Sequence, residues 1–79
     1  MNKPLTPKPS FVNGKFRHYK GNEYEVVDLV RHSETEEWMV LYRPLYGEGD
    51  LWVRPFEMFY SNVVIEGVEQ PRFAKISEA

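Results

Sequence analysis

Cysteine is absent from this chain of 79 residues, so no disulfide can support its core, and cysteine-ligated zinc or iron–sulfur centres are excluded. No apolar run approaches the roughly 18 residues of a membrane-spanning helix. The opening Met1-Asn2-Lys3-Pro4-Leu5-Thr6-Pro7-Lys8-Pro9-Ser10 lacks the apolar stretch of a secretory signal. A cytoplasmic protein with no membrane partner is therefore expected. Also missing are a Gly-x-Ser-x-Gly elbow, a glycine loop followed by a helix and lysine, and any His-x-His or His-Glu-x-x-His spacing. No segment could supply two long amphipathic helices, which excludes a ferredoxin-like arrangement.

Large rings are plentiful instead: two Trp, five Tyr and five Phe make up 15% of the chain. A domain this small buries only about 60% of the surface its unfolded form exposes, so rings with much apolar area per residue are useful core material. The net charge is −2, but its distribution is uneven. Residues 1–20 carry five cations (Lys3, Lys8, Lys15, Arg17, Lys20) and no acid, whereas residues 21–79 carry five cations and twelve acids. Such asymmetry can mark an interaction arm, although a short basic leader that keeps an acidic domain soluble explains it more simply. A dedicated nucleic-acid binder usually has a basic folded part with an isoelectric point above about 9. This chain lies near 5.6, which disfavours a nucleic-acid partner.

Residues 1–12, proline-rich and poor in large apolar side chains, read as a mobile basic leader, and residues 13–79 as a single domain. Within the domain, short strands alternate with turn signals. Phe16–Tyr19 leads into the turn Lys20-Gly21-Asn22. Glu23–His32 is long and apolar on both parities, as expected of a bent strand that changes its buried face midway. Glu37–Arg43 places Trp38, Val40 and Tyr42 on one face, with Pro44 ending it, and Leu51–Arg54 is a brief strand. Pro55-Phe56-Glu57-Met58-Phe59 reads as one helical turn opened by proline. Asn62–Glu66 and Val68–Gln70 form a hairpin around Gly67, and Pro71–Ile76 is a final edge strand. The expectation is a mainly β domain: an SH3-like barrel or roll of five to six short antiparallel strands with one helical turn near residues 55–59.

The same segments resemble a small bacterial family, the domain-of-unknown-function family 1653. The resemblance rests on Phe16-Arg17-His18-Tyr19-Lys20-Gly21, Tyr24-Glu25-Val26, Arg31-His32-Ser33-Glu34-Thr35 and Tyr42-Arg43-Pro44-Leu45-Tyr46-Gly47. Its most specific part is Leu51-Trp52-Val53-Arg54-Pro55-Phe56-Glu57-Met58-Phe59. It covers roughly residues 14–76 and implies an SH3-like barrel but no activity. Phe16 stands where the family usually has tyrosine, which removes a hydroxyl, and the basic leader lies outside the family pattern.

The candidate chemistry is sparse. His18 and His32 are the only side chains whose ordinary pKa lies near neutrality. A tight hairpin around Gly21-Asn22 would set His18 opposite Glu25 and leave His32 far along the strand, so a shared metal is not expected. The serines (Ser10, Ser33, Ser61, Ser77) fall in leader, loop, turn and tail. No cofactor is expected, and an enzymatic or accessory role through His18 or His32 is a minor alternative. The remaining constellation is aromatic and basic. Arg17, Tyr19, Tyr42, Arg43, Tyr46 and Arg54 are the candidate ligand-binding residues, with stacking rings and guanidinium groups that fix an acidic or planar partner. Trp52, between Leu51 and Val53, is expected in the core, and Arg43 and Arg54 are expected beside acids such as Asp50 or Glu57. The function expected is a non-catalytic module, monomeric or weakly dimeric, for a protein segment or small polar ligand. Single-stranded nucleic acid is the alternative ligand.

Overall fold

The computed structural model describes residues 6–77. Seven strands and one short helix follow in the order β1 (Gly14–His18), β2 (Glu23–Arg31), β3 (Trp38–Pro44), β4 (Trp52–Pro55), α1 (Phe56–Phe59), β5 (Asn62–Ile65), β6 (Val68–Pro71) and β7 (Phe73–Ser77). Five strands form one antiparallel sheet in the order β4-β3-β2-β1-β7, and β5 and β6 form a separate hairpin. The domain is thus mainly β with a single helical turn, as the sequence indicates, but with seven strands rather than five to six. Among the described residues no helix is long and apolar enough to cross a membrane.

The bend in β2 comes from one extra residue. Pairing with β3 slips between Val26 and Asp28, leaving Val27 as a bulge. The buried positions accordingly change from Tyr24 and Val26 to Leu29, an even-to-odd switch that only an inserted residue can produce. This switch rolls the sheet. Four strand spacings of about 4.8 Å would hold β4 roughly 19 Å from β7 in a flat sheet. Yet the Arg54 guanidinium on β4 lies 5.5 Å from the Phe73 ring on β7. No ladder joins these two edge strands, so the roll stays open.

Phe16, Tyr24, Val26, Leu29, Val40, Tyr42, Phe59 and Phe73 fill the roll, with Phe11, Trp38, Phe56 and Tyr60 packed around them. Pro55 ends β4 and sits at the N-cap of α1, one position before the first helical residue expected for it. Its φ of −53° suits helix entry, and one turn later Phe59 is fully buried. Pro44 closes β3 from within the strand.

Three expectations about side chains are overturned. Trp52 is 43% exposed rather than core, because the inner face of edge strand β4 has a neighbouring strand on one side only. His18 does not face Glu25. Glu25 pairs with Lys15, the last β1–β2 pair is Arg17 with Glu23, and the hairpin closes through the His18 N–H on the Asn22 carbonyl (2.8 Å). Tyr19-Lys20-Gly21 is therefore a three-residue loop, and Gly21 takes the positive φ (113°) that such a loop requires. Finally, Arg54 stands beside no acid among the described residues, whereas Arg43 does pair with an acid, Glu25 rather than Asp50 or Glu57. Arg43 Nε lies 3.5 Å from Glu25 Oε1, and Arg54 Nε donates to the Tyr42 hydroxyl at 3.3 Å.

The segment read as a leader is docked from Thr6 onward. Lys8 Nζ reaches Asp28 Oδ1 at 3.0 Å, and the Trp38 indole N–H donates to the Pro7 carbonyl at 3.1 Å. Residues 1–5 lie outside the described residues.

Candidate functional site

Directly opposed residues of an antiparallel ladder share a face, so the register assigns each candidate to one side of the sheet. Tyr42 opposes Trp52, Val40 opposes Arg54, Phe16 opposes Tyr24 and His18 opposes Phe73. Val40, Phe16 and Phe73 are buried, so this is the inner face. Arg17 opposite Glu23 and Arg43 opposite Glu25 occupy the outer face, each engaged with its partner carboxylate at 2.7 Å and 3.5 Å. Both pairs are solvent-exposed and contribute under about 1 kcal/mol each. The six candidates therefore do not converge. Tyr42, Tyr46 and Arg54 come together on the inner side, Arg17 and Arg43 lie behind it, and Tyr19 joins the inner set through His18, whose ring is 4.4 Å away.

The inner set is an aromatic patch with a buried floor and an exposed rim. Tyr24 and Tyr42 form the floor, at 8% and 3% exposure. Their rings meet edge to face at 5.6 Å, and each also approaches Phe73, at 5.5 and 5.9 Å. Trp52 rises from this floor with its ring 6.1 Å from Tyr42 and 6.2 Å from Tyr24. Tyr46, on the loop after β3, is held by a 3.0 Å hydroxyl–hydroxyl bond to Tyr24. Burial, reinforced by that bond, pushes the Tyr24 phenol up to about 12. Tyr24 hence stays a neutral donor and acceptor through the physiological range.

The charges acting on His18, at one end of the patch, are positive. Burial comes first, and then the cations Arg54, Lys20 and Arg72, in holding the His18 imidazole below its ordinary 6.5. His18 Nδ1 also accepts the Lys20 backbone N–H at 3.1 Å, a bond only the unprotonated nitrogen can make. Arg54 has no carboxylate partner among the described residues; its guanidinium rests against Phe73 and the Tyr42 hydroxyl. Fixed and unneutralised, it can accept an anionic or planar group. His32 is engaged elsewhere, its Nδ1 capping the backbone N–H groups of Glu34 and Thr35 at 3.1 and 3.2 Å. Among the described residues, no three His, Asp or Glu side chains are grouped to hold a metal ion.

Tyr24, Phe73 and Arg72 belong to this neighbourhood without having been singled out. Tyr24 carries a legible signal, the Tyr24/Val26 alternation. Arg72 and Phe73 carry none, because their place depends on β7 returning beside β1.

The family model for proteins of unknown function called DUF1653 matches residues 14–75. The structure is similar to the crystal structure of a DUF1653 protein from Bordetella bronchiseptica, with a TM-score of 0.79 and 34% identity, over 87% of this chain and 91% of that one. Among curated proteins nothing matches. From the match over residues 14–75, which takes in β1 through β6 and most of β7, it follows that the chain belongs to the DUF1653 family.

Proposed function

We propose that this chain is a non-catalytic binding module, an SH3-like roll working in the bacterial cytoplasm as a monomer or weak dimer. Its inner-face patch takes a protein segment or small polar ligand bearing a carboxylate or another flat anionic group. The observation that carries this reading is Trp52: a large ring 43% exposed, braced edge-on by the buried Tyr42, on the same strand as Arg54, which has no carboxylate partner among the described residues. A flat group can stack on the Trp52 and Tyr46 rims while Arg54 bonds its oxygens. Ring and guanidinium are held by neighbours, so little order has to be gained on binding.

The test is a chemical-shift titration of the labelled full chain with acidic peptides and small aromatic carboxylates. Shifts should centre on the Trp52 indole N–H and on Tyr46, and Arg54→Gln should abolish them; silence at Trp52 with every probe overturns the reading. Trp52→Ala keeps the test clean. Trp52 is only partly buried, so its truncation should cost less than the roughly 3–5 kcal/mol of a fully buried ring. Oligothymidylate separates the nucleic-acid alternative, whose affinity would fall steeply with salt. Rate loss on His18 or His32 substitution in a hydrolysis screen would instead point to an enzyme.

A further inference from the structure

A second face of the molecule has the opposite chemistry. A groove of about 760 Å³ runs between Trp38 and α1, walled by Phe56 and Met58 and rimmed by Glu36, Glu37 and Glu57. Thr35 and Pro55 complete the domain's side, and the chain's own Thr6, Pro7 and Pro9 form the opposite wall, so this is the space that stays open with the leader docked. We propose that the surface of Arg31, Trp38 and Asp28 beside this groove is a receptor for extended proline- and lysine-bearing polypeptide segments, and that the chain's own residues 6–9 occupy it in cis until a partner segment of the same chemistry displaces them.

The contacts read as recognition of backbone and charge. A proline-rich segment has no internal hydrogen bonds, so its carbonyls are open to outside donors. The Trp38 indole N–H takes the Pro7 carbonyl at 3.1 Å, and Arg31 Nη2 takes the Thr6 carbonyl one residue earlier. Arg31 is set for this task, since its guanidinium stacks 4.1 Å from the Trp38 ring centre and its Nη1 donates to the Glu36 carbonyl at 2.7 Å. Between the prolines, Lys8 reaches Asp28 at 3.0 Å.

Receptor and ligand also differ in origin. Arg31, Trp38 and Phe56 lie inside the family-matched residues 14–75, whereas the bound segment precedes them. The docking surface of Arg31, Trp38 and Asp28 thus belongs to the domain, and the leader is its attached occupant. Tethering gives that occupant an effective concentration in the millimolar range for a short linker, so a weak cis contact suffices to keep that surface covered.

The experiment uses the full chain and a Lys8→Glu/Pro9→Gly variant, which sets a carboxylate against Asp28 and loosens the leader without touching the core. The reporter is the Trp38 indole N–H resonance, assigned with Trp52→Phe. The probe is a synthetic peptide of residues 3–10. The variant should move the Trp38 resonance. The peptide should move it back, binding the variant at least about 10-fold more tightly than it binds the wild type, as expected when a tethered competitor is removed. A peptide with Lys8 replaced by Glu should bind less. An unchanged Trp38 resonance in the variant, or equal peptide binding by both proteins, overturns the proposal. Sedimentation that shows leaders exchanged between two copies would assign the surface to a second copy and overturn it as well.

Discussion

The Phe59 and Phe73 rings stack 4.1 Å apart and within 4° of parallel, joining the only helical turn among the described residues to the last strand of the sheet. Phe59 is fully buried and also meets Phe16 and Tyr42 edge-on, at 5.6 and 5.3 Å. It is the point at which α1, β1, β3 and β7 are tied together. Phe59→Ala is expected to lose about 3–5 kcal/mol, transfer and cavity terms together. That is a large part of the roughly 5–15 kcal/mol that holds a typical domain folded. Urea denaturation should show the loss as a lower midpoint at unchanged slope, and a loss below about 1 kcal/mol would mean the roll does not depend on this contact.

The β5–β6 turn holds a residue in an unfavourable conformation. Ile65 opposes Val68, so Glu66-Gly67 is a two-residue loop, with φ of 51° and 80°. Both central residues of such a loop are left-handed, which glutamate resists and asparagine tolerates. Glu66→Asn is expected to gain about 0.5–1 kcal/mol, or several degrees in Tm for a domain of this size. Gly67→Ala should lose about 1 kcal/mol although nothing lies within 4 Å of the added Cβ, because its cost is in the backbone alone. Thermal melts of the two variants moving in opposite directions is the expected outcome.

These two sites show which parts of the fold the sequence makes legible. The bend in β2 could be read because a strand apolar on both parities must change faces, and α1 because Pro55 precedes Phe56 and Phe59 at helical spacing. What could not be read was register. Arg43 and Arg54 look alike, each before a proline, yet Val40 opposes Arg54 and Tyr42 opposes Trp52, which sends even-numbered residues of both strands inward and Arg43 outward. A slip of one residue would reverse this, and the loop of residues 45–51 does not reveal it. The β1–β2 register was open to a better reading. A tight turn sets Phe16 opposite Val27, whereas the actual loop sets Phe16 opposite Tyr24, joining two large rings on the buried face. Trp52 escaped because a four-residue edge strand with apolar residues at three successive positions (51–53) does not announce which of them is covered.

Tyr60 buries a hydroxyl without a hydrogen-bond partner among the described residues, and burial pushes its pKa up. Its ring packs on Phe56 and Phe59 at 4.8 and 4.9 Å. Tyr60→Phe keeps those contacts and removes an unsatisfied polar atom, so it should stabilise the fold by about 1 kcal/mol. A lower melting temperature for this variant would show that the hydroxyl has a partner in solution.

His18 gives the patch a pH dependence whose direction is fixed. Burial, and then Arg54, Lys20 and Arg72, hold its imidazole below the 6.5 of the unfolded chain. As pH falls through 6.5 the unfolded chain takes up a proton first, so folding stability declines from there down to the depressed value and then levels off. His18→Gln should remove that part of the pH profile and leave the neutral-pH fold in place. In the wild type, the His18 ring signals should titrate with a midpoint below 6.5; Arg54→Gln should bring the midpoint nearer to 6.5 without reaching it, because burial is the larger cause. A carboxylate bound to Arg54 would act in the same direction, by neutralising the charge that opposes protonation. Binding and His18 protonation should therefore be coupled: an acidic ligand raises the His18 midpoint and binds more tightly as pH falls, while a neutral ligand does neither.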